Sequence, residues 1–328
     1  MTLQRRAVPV ALAALAATAA ATFSRGVRAQ NLPAKPIRLI VGYSAGGAVD
    51  IIARAIGQQL QAALGQPMII DNKPGAGTNI AMKALIDSPA DGSTLMLAAN
   101  ALAANVSLYQ PPPFDLARDV TPVSLVGRVP VVLAVAAGSP LQTLAQLIGA
   151  AKASKNTVSY ATPGNGSTPH LAVALFEHTA GIDLLHVPYK GGAQAITDLI
   201  GGHVQAVAVN ALEVLPHVRS GKLKVLAVMT PQRAAIFPDV PTVAEQGFAG
   251  FEASVWYGVI GPRGMSPALV KALHAELQKA LASDEVKQRL SAAGGELLPG
   301  STEAFATLLA SERTRYERLI RAARIQPD

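Results

Sequence analysis

Short apolar runs closed by glycine or proline alternate with stretches of helical period along most of the chain, and this alternation restricts the fold more than any other feature. Ile37 to Val41, between Pro36 and Gly42, reads as a buried strand. A glycine-rich turn follows. From Val49 to Leu64 apolar residues recur at Ile52, Ile56, Leu60 and Ala63, the spacing of a helix with one face on a core. Met68 to Ile70 gives a second strand, the loop Asn72 to Asn79 opens a helix ending near Ile86, and Thr94 to Ala98 is a third strand. Strands and helices in this order predict a parallel, doubly wound α/β sheet.

The rhythm returns in the middle of the chain. Strands are expected at 131–136, 158–161, 184–187, 205–209 and 224–229, with helices at 141–153, 168–180 and 193–200. A further strand, 256–260, precedes a proline-started helix at 267–282 and a last helix from Thr302 to about Ala323. This pattern predicts two lobes, each with its own sheet: residues 30–129 plus 231–328 form one, and residues 130–230 the other. Two hinge segments would join them near Arg128–Val131 and Met229–Pro231, with the ligand cleft between.

Composition narrows the class. A chain of 328 residues fits about two domains. Hydrophobic residues make up 50% but aromatics only 4%, so small side chains carry the packing. Beyond Phe23 no apolar run approaches the roughly 20 residues that cross a bilayer, which excludes a polytopic membrane protein. The absence of cysteine excludes disulfides, thiolate catalysis and Cys-ligated metals. Arg5 and Arg6 precede an Ala/Leu-rich stretch, Ala7 to Phe23, and Val27-Arg28-Ala29 offers a cleavage site, so residues 1–29 read as a signal peptide; the alternative is a single anchoring helix. Loss of that segment removes four arginines and no acid, lowering the formal charge from +7 to +3. The arginines from Arg313 to Arg324 alternate with Glu312 and Glu317 as on a solvated helix face, and no nucleic-acid partner is expected.

Two loops carry possible chemistry. Gly42-Tyr43-Ser44-Ala45-Gly46 has the G-x-S-x-G form of a nucleophile elbow, which would make the chain a secreted α/β serine hydrolase acting through Ser44. Against this, the motif follows the first strand, so no upstream strand or loop supplies a second oxyanion donor, and the acid and histidine match only loosely. The same glycines have another reading. Gly46 and Gly47 leave the amides that open the next helix accessible to an anion, with Asp50 in its first turn compensating the dipole or accepting from a ligand. In the second loop, Thr162 to His170, Thr168-Pro169 starts a helix at the carboxyl edge of a strand, where open α/β sheets place ligands. His170 lines or supports the cleft. Neither loop is a phosphate loop, Gly75-x-Gly77 lacks the rest of a dinucleotide fingerprint, and the six histidines show no metal-ligand spacing. No cofactor or metal is expected.

The fragments Lys35–Val41, Ala45-Gly46-Gly47-x-x-Asp50, Asp71–Gly77, Gly164–Ser167 with His170-Leu171, Val187–Gly192, Leu223–Val228, Pro238–Thr242 with Glu245, Trp256–Gly258 and Gly261-Pro262 occur in one order over nearly the whole chain after residue 29. Together they resemble the solute receptors of tripartite tricarboxylate transporters, the Bug receptors. The resemblance implies a monomeric periplasmic receptor of type II, two-lobed Venus flytrap fold, which closes on a small carboxylated solute and delivers it to membrane permease subunits. It implies that Tyr43, Ser44, Ala45, Gly46, Gly47 and Asp50 face Gly164, Asn165, Gly166, Ser167, Thr168 and His170 across the ligand, with Asn79, Tyr189 and Asn210 beside them. Two positions depart from the family pattern. Where the family often has an acidic residue near the end of the 205–209 strand, this chain reads Val209-Asn210-Ala211, and Tyr43-Ser44-Ala45 replaces an aromatic-proline start.

Overall fold

The computed structural model describes residues 32–323 except 293 and 299, together with 325–327; the expected signal peptide lies outside them. The chain begins β1 (Ile37–Val41), α1 (Ala48–Leu64), β2 (Met68–Asn72), α2 (Asn79–Ile86), β3 (Thr94–Ala99), α3 (Ala101–Leu108) and α4 (Leu116–Asp119), then enters the 17-residue strand β4 (Val120–Ala136). Next come α5 (Leu144–Ala153), β5 (Ser159–Thr162), α6 (Thr168–Ala180), β6 (Leu185–Pro188), α7 (Gly192–Ile200), β7 (Ala206–Asn210), α8 (Ala211–Arg219) and β8 (Leu223–Val228). The last part is β9 (Ser254–Pro262), α9 (Pro267–Ala282), α10 (Asp284–Ala292), β10 (Glu296–Leu297) and α11 (Thr302–Ala322).

Strands run in the order β2-β1-β3-β9-β4-β7-β5-β6, with β8 and β10 also paired to β4. Parallel pairing holds for β1 with β2 and β3, and for β5 with β6 and β7. The sheets are nevertheless mixed rather than purely parallel. β9 enters antiparallel between β3 and β4, and β4 runs antiparallel to β7 and β8. Leu39 and Val41 pack with Ile52 and Ile56 of α1, whereas Ile40 packs with Met82 and Leu85 of α2, so β1 is covered on both faces. Each such buried side chain contributes about 1.5–3 kcal/mol.

β4 joins the two lobes. Residues 120–130 pair with β9, and residues 131–136 with β7 and β8, so a single strand serves both sheets. Only its second half was legible, because Pro122, Gly127 and Pro130 interrupt the first. Register shifts at Pro122/Ser124 and Leu125/Gly127 absorb the first two interruptions. α3 was missed for a different reason: it is apolar on nearly every side and buried, and therefore shows no helical stripe. After β8, Met229 N–H donates to Val131 O at 2.9 Å and Ala253 N–H to Met229 O at 2.7 Å. Between them Val243 N–H donates to Val228 O, and Phe248 and Phe251 set their edges against Phe176 of α6.

Behind β3 and β9, α11 inserts a buried acid. Glu312 Oε2 accepts from Trp256 Nε1 and Asn100 Nδ2, both at 3.1 Å, while Oε1 accepts from Arg315 at 3.2 Å. Asn100 in turn donates to the Tyr316 hydroxyl at 2.7 Å and accepts from Trp256 N–H at 2.9 Å.

Candidate functional site

The helices α1, α6, α7 and α8 begin at the carboxyl ends of strands from both lobes, and their N-termini converge on one chamber. Each start has a local cause. Gly47, extended at φ −80° and ψ 170°, caps α1; Ser167 caps α6 by accepting from His170 N–H, with Pro169 in the first turn; extended Asn210 leads into α8. The chamber, with about 20 Å³ open to the centre of a water-sized sphere, is lined by the starts of all four helices and by Tyr43, Asn210, Glu213 and Tyr257. Four positive helix ends around one space favour negative charge there.

The protein supplies that charge itself. Glu213, in the first turn of α8, reaches across the cleft, and its Oε1 accepts from Ala48 N–H of α1 and from Asn210 Nδ2, both at 3.0 Å. Burial pushes its carboxyl above the usual carboxylate range, with these two bonds acting in the opposite direction. Oε2 is shielded from solvent without a partner, and so are Asn210 Oδ1, Thr168 Oγ1 and the Tyr257 hydroxyl. Gly192 at the start of α7 makes room for the acid, since a Cβ there would lie 1.5 Å from Glu213 Oε2.

A second, outer chamber of about 610 Å³ counted to its mouth shares Tyr43 and Pro163 with the first. Its walls are Gly42, the turn Gly75–Thr78, Gly164, Asn165, and Pro188 to Lys190. The turn is strained: Ala76 and Thr78 have φ of 46° and 79°, conformations that cost non-glycine residues on the order of 1–3 kcal/mol. Gly77 between them permits close contact with the opposite lobe, where a Cβ would lie 3.0 Å from Asn165 O.

The residues expected at the site separate into three groups. Tyr43, Gly47, Ser167, Thr168 and Asn210 line the inner chamber, and Tyr43, Gly164, Asn165 and Tyr189 the outer one. Ser44 fastens the lobes together, its N–H and its hydroxyl both donating to Lys190 O at 3.0 and 2.9 Å. The rest support the loops. Asp50 is buried, and its carboxylate accepts from Gly46 N–H, Arg54 and Asn72, bonds that hold its pKa low against burial. Both oxygens of Asp50 are thus engaged within the turn. Ala45 and Gly46 are exposed and outside both chambers, and Asn79 Oδ1 accepts from Asn105 at 2.8 Å. His170 takes Gly166 N–H on Nδ1 at 3.1 Å and stacks at 4.0 Å on His186, which bonds Thr162 at 2.7 Å. Burial lowers His170 to about 3 and His186 to about 4, so both rings stay neutral. Gly166 itself packs against Leu108 and Asn105 of α3.

The anion-accepting amide expected at α1 is thus real, but Glu213 occupies it. Reading from sequence missed this acid because Ala211-Leu212-Glu213-Val214 has the pattern of an ordinary surface turn. The available signal was its position, three residues beyond the carboxyl end of β7, the edge already applied to β1 and β5. The Ser44 hydroxyl, by contrast, is given to a carbonyl, and among the described residues no histidine is bonded to it.

A sequence profile described as "Tripartite tricarboxylate transporter family receptor" matches residues 52–325. The protein BugT of Bordetella pertussis is 37% identical over 305 residues, covering 92% of this chain and 94% of its own. Among solved structures, an R. palustris protein with adipate superposes with a TM-score of 0.86 at 33% identity, covering 90% of this chain and 99% of the other. MatC of Rhodopseudomonas palustris with bound malate superposes at 0.84 and 28% identity, covering 88% and 99%.

Proposed function

The chain belongs to the tripartite tricarboxylate transporter receptor family, and from that premise we propose that it is a monomeric periplasmic receptor that encloses a small carboxylated solute and hands it to membrane permease subunits. It is a solute receptor and not a hydrolase. The observation that carries the reading is a cleft between the lobes, walled by helix N-termini from both and holding unpartnered polar atoms. Export follows from residues 1–29 acting as a cleaved signal peptide. The lobe division falls at 129/130, and contacts of residues 231–253 with β8 and α6 support a return crossing at Ala253–Ser254, later than the sequence pattern suggested.

Energetics suit a transport receptor. Hydrogen bonds to a charged group contribute about 1.5–3 kcal/mol each, and micromolar affinity needs about −8.2 kcal/mol. A few such bonds, offset by the ordering that closure requires, suffice. Native mass spectrometry of protein purified from the periplasm, followed by calorimetry with adipate, malate and other small carboxylates, tests the reading. A retained or titrated carboxylate is expected, with Gln30 near the mature N-terminus. Fluorophosphonate labelling abolished by Ser44→Ala, with no carboxylate bound, would overturn it.

A further inference from the structure

The two chambers of the cleft have opposite character. The inner one holds Glu213 and, among its lining residues, no lysine, arginine or histidine. Its unpartnered atoms are Glu213 Oε2 and Asn210 Oδ1, which accept, and the hydroxyls of Thr168 and Tyr257, which can do either; Thr168, Asn210 and Tyr257 are each at least nine-tenths buried. The side-chain amide of Asn210 is oriented by its bond to Glu213 Oε1, which leaves its oxygen for another donor. In the outer chamber the single charged lining residue is Lys190. The chambers lie side by side, with Tyr43 and Pro163 lining both.

A carboxylate entering the inner chamber would either meet an ionised Glu213 in a space shielded from water or push its already raised carboxyl further toward the protonated form, whereas a cation would stabilise the ionised acid. A protonated nitrogen there would bring up to three donors, answering Glu213 Oε2, Asn210 Oδ1 and a hydroxyl together. The acid cannot withdraw without cost, because it caps the Ala48 amide and is seated against Gly192. On the reading that this cleft is the receptor's ligand site, we propose that Glu213 and Asn210 select a solute carrying a protonated nitrogen a few atoms from its carboxylate, an amino-carboxylate, in preference to a plain mono- or dicarboxylate. The nitrogen lies in the inner chamber. The carboxylate lies toward Lys190 in the outer one.

Calorimetry on the full mature protein with matched probes tests this: L-glutamate against glutarate, L-aspartate against succinate, and 4-aminobutyrate against butyrate. In at least one pair the aminated member should bind about tenfold or more tightly, the worth of one charge-assisted hydrogen bond. Glu213→Gln keeps an oxygen for Ala48 N–H and Asn210, and so should remain folded and closed. It should bring the two members of that pair to within about threefold, chiefly by weakening the aminated one. Asn210→Asp, adding negative charge in the same place, should widen the preference. Glutarate, succinate or butyrate binding as well as or better than its aminated partner, or a ratio unchanged in Glu213→Gln, would refute the selection while leaving the receptor intact. Failure of every probe of both kinds to bind folded protein would remove the receptor reading together with it.

Discussion

Glu312 and Glu213 are both glutamates drawn into the interior, and they differ in what the interior gives back. Both oxygens of Glu312 are bonded, by Trp256, Asn100 and Arg315, and the cluster ties α11 to β9 and α3. Glu213 is satisfied at one oxygen and left open at the other, on the wall of a chamber. A fully bonded acid holds a fold together. A half-bonded one stores an unmet interaction that a ligand can complete.

The largest effect that separates them should come from Glu312→Ala, which leaves the buried Trp256 indole N–H without an acceptor and unties α11 from Asn100, at a cost of about 1–3 kcal/mol. The melting temperature should fall by roughly 5 °C. Glu213→Gln should leave it near the wild-type value and change ligand binding instead, and a drop as large as that of Glu312→Ala would erase the distinction.

Gly192→Ala sharpens the comparison from the other side, because a methyl 1.5 Å from Glu213 Oε2 forces the acid from its seat without altering its charge. Affinity should fall by about tenfold, or 1.4 kcal/mol, as read by calorimetry. Unchanged affinity would mean that the seated acid does not contribute to binding.

Titration distinguishes buried groups by sign. His170 and His186 are lowered by burial to about 3 and about 4, from an ordinary 6.5. The unfolded chain therefore binds protons first, and the stability these rings contribute is present above pH 6.5 and lost as pH falls toward 4 and 3. Glu177, raised by burial to about 7, acts in the opposite direction: its contribution is present below 4.5 and lost as pH rises through 7. Glu213 is raised in the same sense. Melting curves across pH should accordingly fall on the acid side, less steeply in His186→Gln, and a wild-type profile level down to pH 4 would contradict the neutral pair.

The smallest effect belongs to Ser44→Ala. Loss of its hydroxyl bond to Lys190 O removes about 1 kcal/mol from the closed form alone. Scattering should show a slightly larger radius of gyration in the unliganded protein and no change with ligand bound.

Most of the layered fold was legible because β1, β5 and β7 are uninterrupted or nearly so and the helices after β1 and β5 open at glycine- and proline-marked turns. Two of the hidden parts lack the contrast between faces on which periodicity depends, while α8 and α10, short and amphipathic, were also missed. α3 is buried all round, and the first half of β4 is broken by residues that bulges absorb. At the site, sequence identified both loops but not the division of labour within them. Asp50 and His170 sit in conspicuous loop motifs yet hold the loops in shape, whereas Glu213, Tyr257 and Gly192 touch the chamber from unremarkable surroundings. A motif shows where the backbone turns. Which side chain is left unpaired there depends on neighbours far away in the chain.

The position of β9 between β3 and β4 has a consequence for how the molecule is made. Every strand that pairs with the second half of β4, and every strand that pairs with those, lies between residues 131 and 228, with only a single bridge from Val228 to Thr242 beyond, so the strands of that sheet come from one continuous stretch of chain. Those of the other sheet do not. Until residues 254–262 arrive, β3 and the first half of β4 have no strand to bridge them, and their exposed edges are open to pairing with other chains. Closing that gap joins segments separated by more than a hundred residues, which slows folding. The half of the protein that begins first in the sequence is thus the half that finishes last, and the unjoined edges of β3 and β4 mark where aggregation during synthesis would start.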